Sequence, residues 1–254
     1  MLLAVDVGNL ATTMGLYQEE HLGPRWRIST VMDRTADEYG LDLLGLLAHR
    51  GVAPPSIGGV VLACVVPPLT EVWHQVCESY LKARLLVVGA GIKTGMRIRY
   101  EDPRQVGADR VAQAVAATRL FGVPACIVDF GTATIFDAID ANEDYLGGAI
   151  APGLRIAADA LYRRTAKLPR VEIEPPPAAI GSNVTHSIQA GLLYGHVGLV
   201  EGLVRRFKEA LGEGTRVIAT GGMAPLIARE TTVIDHVAPW LTLDGLRLIY
   251  EMNR

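Results

Sequence analysis

Residues 4–17 read AVDVGNLATTMGLY: an apolar run, the carboxylate of Asp6, a Gly8-Asn9 corner and a second apolar run. Leu2–Val5 has the composition of a short strand, Ala11–Tyr17 that of another, and Gly-Asn between them is hairpin chemistry. Asp6 therefore stands where a strand enters a turn. The same order returns at residues 125–139, ACIVDFGTATIFDAI, as strand, Asp129-x-Gly131, polar corner and strand. Asp6 and Asp129 lie 123 residues apart (129 − 6), close to half of the 254-residue chain. An echo at that spacing predicts two similar α/β halves, 1–122 and 123–254, facing each other across a cleft, with the boundary near Gly122-Val123-Pro124.

The stretches around the two echoes support an α/β architecture. Leu41, Leu43, Leu44, Leu46 and Leu47 give an amphipathic helix over 38–50. The apolar run 59–66 predicts a buried strand that stops at Pro67-Pro68. A helix over 70–82, a strand over 84–88 and a small-residue helix over 109–121, suited to close packing, follow. Strands alternating with helices indicate the α/β class.

Composition narrows the function. Half of the residues are apolar and the formal charge is −3, which disfavours disorder and argues against nucleic acid or an anionic membrane as the main partner. No run is long enough to span a bilayer, and Met1 leads into Leu2-Leu3-Ala4-Val5 without the basic segment of a signal peptide. Cys64, Cys77 and Cys126 lack ligand spacing and read as reduced core thiols, so the expected location is the cytoplasm.

Two Asp-x-Gly hairpins on facing halves would aim turn amides and carboxylates at one place. Gly8 and Gly131 let amides approach phosphate oxygens, while a bare carboxylate would repel them, so a cation must mediate. Mg²⁺ commonly bridges one or two Asp residues to substrate phosphates. Asp6 is the candidate for the Mg²⁺ side and Asp129 for a second cation. A single Asp-x-Gly is more often just an Asx turn; the pairing, with the hydroxyls of Thr132 and Thr134, reverses that in favour of the phosphate reading. Thr220-Gly221-Gly222 after the strand 216–220 adds a turn with room for a planar ring. His186 and His196, ten apart without ligand spacing, read as polar-face residues. Arg163, Arg164, Lys167 and Arg170 read as a solvated rim.

Taken together, these stretches resemble the actin-like ATPase and sugar-kinase superfamily, and within it the type III pantothenate kinases. The resemblance is carried by DVGN (6–9), VVPPLT (65–70), VGADRVAQAVAA (106–117), VDFGTAT (128–134), YLGGAIAPGLRIAADAL (145–161), RRTAKLPRVE (163–172), QAGLLYG (189–195), ATGGMAPLI (219–227) and LTLDGLRLIYEMN (241–253). It implies two RNase H-like halves around a nucleotide cleft. It also implies ATP-dependent phosphorylation of pantothenate, the first step of coenzyme A synthesis, by a homodimer using Mg²⁺ and potassium or ammonium. Asp109 then matches the proposed base, and Tyr100, Gly107, Ala108, Arg110 and Val184 fall at acceptor-binding positions. Asp6, Val7, Gly8, Asn9, Leu10, Ala11, Thr12 and Thr13 match the first phosphate loop. Thr132 matches an ATP contact, Gly221-Gly222 the turn beside the base, and Asp129 the monovalent-cation ligand. Phosphoryl transfer needs positioning and charge neutralisation, with a carboxylate to orient the attacking hydroxyl, which suits Asp109; a helix N-terminus would also favour an Asp there.

Some positions depart from the family pattern. Leu10 and Ala11 stand where a hydroxyl and an amide are usual, Ile135 and Val184 each replace a threonine, and Asp102-Pro103 replaces Asn-Pro. A kinase-like accessory or regulatory protein with little turnover is therefore an alternative resting on Leu10, Ile135 and Val184, and a kinase with a different small acceptor is a third.

Overall fold

The structure is a computed structural model that describes residues 1–254. Its two sheets share one plan. The first runs in the order β3-β2-β1-β4-β5, built from β1 (Leu2–Val7), β2 (Ala11–Gln18), β3 (His21–Ser29), β4 (Gly59–Cys64) and β5 (Leu85–Val87). The second has the order β11-β10-β7-β8-β9-β6, from β6 (Arg97–Ile98), β7 (Ala125–Phe130), β8 (Ala133–Ile139), β9 (Asp144–Pro152), β10 (Arg216–Thr220) and β11 (His236–Val237). In each, an antiparallel meander of three strands (β1-β2-β3, β7-β8-β9) is extended by two parallel strands (β4-β5, β10-β11). The echo between residues 4–17 and 125–139 is thus a repeat of topology. The hairpins differ in length: residues 8–11 lie between the paired Val7 and Thr12, and 131–133 between Phe130 and Thr134.

Helices cover the sheets: α1 (Ala36–His49), α2 (Pro67–Val76), α3 (Ala108–Phe121), α4 (Leu154–Arg164), α5 (Val184–Leu211), α6 (Ala224–Ile227) and α7 (Leu241–Asn253). Helix α1 begins before Glu38 because Thr35 caps it: the Glu38 amide donates to Thr35 Oγ1 and the Thr35 amide to Glu38 Oε2, so Glu38 is the third helical residue. Pro67-Pro68, expected only to stop a strand, open α2 at the positions where a missing amide costs least. That helix ends at Val76, earlier than expected, and a wider turn over Cys77–Leu81 leads to Lys82 in the left-handed region.

Two compact units are distinguishable by contact: Met1–Met96 with Glu101–Ala116 and Leu241–Arg254, and Arg97–Tyr100 with Ala117–Trp240. The last helix joins the first unit for physical reasons. It packs on β1, β2 and β4, Tyr17 donates to Asp244 Oδ1 at 2.6 Å, and Gly245 crosses α3 at Ala112 where a Cβ has no room. The first core gathers Leu3, Val5, Leu43, Leu62, Leu69 and Trp73; the second gathers Val128, Phe136, Leu193, Val200 and Val217. Cys77 and Cys126 are buried in these cores, which pushes both thiols up to about 12, and Cys64 is half-buried. No helix is long and apolar enough to cross a membrane.

Candidate functional site

In the first unit, the β1–β2 turn is closed by the Gly8 amide donating to Ala11 O at 3.0 Å. Asp6 is the last residue but one of β1, half-buried, opposite Thr13 on β2 and Ala63 on β4. The Thr30 amide on the far side donates to Leu10 O at 3.1 Å, and the buried Thr12 hydroxyl shares a 2.8 Å bond with that of Thr30. Thr12 is thereby engaged toward β3, while the Leu10 side chain stands 60% exposed at the tip beside Asn9 and Ala11.

The segment holding Gly107, Ala108, Asp109 and Arg110 reaches the same end of the sheet. The Val65 amide, just past β4, donates to Val7 O at 3.0 Å. Gly107 lies against Val65 in turn, since a Cβ on it would sit 3.6 Å from Val65 Cγ1. The same Cβ would overlap the Asp109 carboxylate, so only glycine leaves that oxygen its place. Asp109 Oδ1 accepts the Arg110 amide at 2.9 Å in the first turn of α3, where the helix dipole favours negative charge. Arg110 is buried beside it. The C-terminal ends of the neighbouring strands β1 and β4 therefore carry the Asp6-x-Gly8 turn and the Asp109 carboxylate together.

In the second unit, the β7–β8 turn is closed by the Gly131 amide donating to Ala133 O at 3.1 Å. Strand β10 runs beside it with Thr220 opposite Asp129. Gly221, leading into Gly222, has φ +88°, and a Cβ there would lie 2.5 Å from Asp129 Oδ1 and 2.7 Å from Phe130 O. The Gly153 amide, at the start of α4, donates to Thr132 O at 3.2 Å. Asp129, Thr132 and Gly221 thus share one corner, rich in oxygens. An all-oxygen donor set suits hard cations. No cluster of three or more His, Cys, Asp or Glu side chains forms a cage, so a cation at Asp6 or Asp129 would lean on main-chain oxygens, water and the phosphates of its ligand. These donors fit a cation carried in with a polyphosphate.

Tyr100 is held elsewhere in that unit. Strand β6 pairs with β9, the Arg99 amide donates to Tyr145 O at 2.8 Å, and the Arg99 side chain pairs with the buried Asp144. The Tyr100 ring then rests on Gly147, φ +116°, whose Cβ would fall 3.0 Å from the ring. Val184 opens α5 after the cap Asn183, 51% exposed, in a groove of about 630 Å³ with Leu161, Leu168, Ser187 and Ile188. None of the other candidate residues lines that groove.

His196 is not on a polar face. It is buried, its Nε2 lies 2.9 Å from the Thr134 hydroxyl, and its ring tilts against Phe130 at 6.0 Å. Burial holds its pKa below the usual histidine value. His186 lies in the first turn of α5, its amide donating to Asn183 Oδ1. The stripe Leu193, Val197, Val200 and Val204 carries the signal that places residue 196 on the core side.

The sequence model of the type III pantothenate kinase family matches residues 2–206. A type III pantothenate kinase of Bacillus cytotoxicus is 49% identical over 253 residues, covering 100% of this chain and 97% of that protein. Among solved structures, a Campylobacter jejuni protein assigned to the Baf family of transcriptional activators is 17% identical at TM-score 0.64, covering 99% of this chain and 98% of that one. The archaeal actin homologue Ta0583 is 13% identical at TM-score 0.54, covering 98% and 99%. At these identities the two structures speak to the fold alone, and that fold is actin-like.

Proposed function

Because the chain belongs to the type III pantothenate kinase family, we propose that it transfers the γ-phosphoryl group of ATP to the primary hydroxyl of pantothenate, giving 4′-phosphopantothenate for coenzyme A synthesis. The observation that carries this reading is that the Asp6-x-Gly8 turn and Asp109 share the C-terminal end of β1 and β4. A carboxylate fixed at a helix start beside a turn with open amides has the parts that hydroxyl activation next to a polyphosphate requires.

In this reading Asp109 accepts the hydroxyl proton as the alcohol oxygen bonds to the γ-phosphorus and the bond to the ADP oxygen breaks. Arg110 pairs with the pantothenate carboxylate, a match of planar fork to carboxylate. Gly107, Ala108, Tyr100 and Val184 complete the acceptor side. The loop from Asp6 to Thr13, with Thr132, Gly221 and Gly222, holds ATP. Asp6 would hold Mg²⁺ and Asp129 potassium or ammonium. When bound, such cations supply neutralisation of phosphate charge. The exposed apolar Ile156, Tyr162, Ile180 and Val184 suit a contact with a second copy, which supports a homodimer as the working form; a cytoplasmic location goes with the biosynthetic role. The accessory-protein alternative is not favoured: Asp6, Asp109, Asp129 and Thr132 are all present.

The test is ADP release by the purified protein, with and without pantothenate, in potassium or sodium buffer. Pantothenate-dependent release that needs potassium is expected. Pantothenate-independent release, or none, overturns the assignment.

A further inference from the structure

We infer that His196 is a positioning residue that fixes, through Thr134, the hairpin carrying Asp129 and Thr132. The inference rests on the reading of that hairpin as part of the nucleotide and cation site. Side chains alternate across a strand, so Phe130, Thr134 and Phe136 turn toward the core while Asp129 and Ile135 take the opposite face; burial follows this alternation. Thr134 is 1% exposed and His196 7%. Their 2.9 Å bond is made in a core otherwise formed by Phe130, Leu193, Val197 and Val200.

Thr134 sits where the turn is tightest. It pairs across the ladder with Phe130, which separates Asp129 from Gly131, and the turn closes over residues 131–133. A threonine hydroxyl without a partner turns to nearby main-chain groups. Here those groups belong to the turn itself, whose Gly131 amide donates to the Ala133 carbonyl and whose Thr132 carbonyl accepts the Gly153 amide. The imidazole holds the hydroxyl inward and leaves the outer face of the turn to its ligands.

The test is calorimetric binding of a non-hydrolysable ATP analogue with Mg²⁺ and potassium, and separately of pantothenate, to His196→Leu, His196→Gln, His196→Asn and Thr134→Val. Losing one partner of a buried hydrogen bond predicts nucleotide binding weaker by roughly 5-fold, and by no more than about 150-fold, in His196→Leu and Thr134→Val, with pantothenate binding within about twofold of the parent. The bond is made through Nε2, so glutamine, which reaches that position, should restore nucleotide affinity, and the shorter asparagine should not. If His196→Leu does not fold, the isosteric Thr134→Val carries the test. Equal weakening of both ligands, or a fall in melting temperature with nucleotide affinity unchanged, overturns the inference and leaves His196 a packing residue. Thr132→Ala and Asp129→Ala separate the two ideas. Unchanged nucleotide affinity in both removes the hairpin from the site, and the inference falls with it; weakened affinity there with full affinity in Thr134→Val refutes the inference alone.

Discussion

Replacing Gly221 by alanine tests whether the turn after β10 is built around the Asp129 carboxylate. At φ +88° an L-residue is strained, at a cost of about 1–2 kcal/mol. The new Cβ would also lie 2.5 Å from Asp129 Oδ1 and 2.7 Å from the Phe130 carbonyl carbon and oxygen. Two of these atoms are main chain, so no side-chain rotation relieves the overlap, and such overpacking costs about 1–3 kcal/mol. The sum is about 2–5 kcal/mol, and relief requires the turn and the hairpin to separate, displacing Asp129. Gly212→Ala is the control. Gly212 has φ +107° with ψ 150° and nothing within 4 Å of a Cβ, so it carries backbone strain without the contact and should cost about 1–3 kcal/mol. Urea unfolding of both variants, with ATP-analogue binding alongside, separates the two contributions. Gly221→Ala should be the less stable and should lose nucleotide affinity, while Gly212→Ala keeps it. Equal stabilities with parental binding in both would refute the argument that this glycine makes room for the carboxylate.

Asp109→Asn keeps shape and an acceptor but cannot take a proton, so turnover should fall by about 10²-fold or more with the unfolding midpoint unchanged; near-parental turnover removes Asp109 from the role of base. Burial depresses the pKa of His196, so below about pH 6.5 the unfolded chain binds a proton that the native state resists. Stability should therefore fall as pH drops from about 6.5 toward the native value, with no contribution above it, and urea midpoints at about pH 7.5 and 5.5 should differ less in His196→Gln than in the parent. Leu10→Thr and Val184→Thr restore hydroxyls at exposed positions, where a hydrogen bond is worth about 0.5–1.5 kcal/mol. Gains of roughly 2- to 12-fold in the Michaelis constants for ATP and pantothenate respectively are expected; a gain on the wrong substrate contradicts the assignment of these positions.

The repeat was legible because turn chemistry is local. Asp-x-Gly between two strands requires only glycine's freedom and a short hairpin, so residues 4–17 and 125–139 announce the same meander, and the structure repeats it strand for strand. Proline was harder to read, because Pro67-Pro68 bars a strand and starts a helix with the same missing amide. Chain order suggests a division at residue 122, whereas compactness groups α7 with the first unit through Tyr17, Asp244 and Gly245. Such long-range packing leaves no local mark. His196 departs from its expected polar face for a different reason: its polarity suggests solvent, while its place in the Leu193–Val204 stripe puts it inside, opposite a buried hydroxyl.

The departures from the family pattern differ in weight. Leu10 and the Val184 side chain are exposed, so water can serve a ligand atom that a hydroxyl would have served. Asp102 keeps the capping function, accepting the Arg104 amide at 3.2 Å as an asparagine oxygen would. Ile135 is different. It lies directly across the ladder from Asp129, and residues so paired share a face with Cβ atoms about 4.5–5.5 Å apart. An isoleucine there sets a methyl-bearing wall beside the carboxylate proposed to hold a monovalent cation, where the resemblance would place a hydroxyl. Ile135→Thr keeps the β-branch that suits a strand and adds one oxygen to that corner. If the oxygen contributes as an ordinary hydrogen-bonding or cation-facing group, about 0.5–1.5 kcal/mol, the potassium concentration for half-maximal turnover should drop by roughly 2- to 12-fold. The substitution leaves the pantothenate side untouched, so its Michaelis constant should stay put. A potassium requirement unchanged in Ile135→Thr but abolished in Asp129→Ala would mean that the cation is held from the side of Gly221, away from β8.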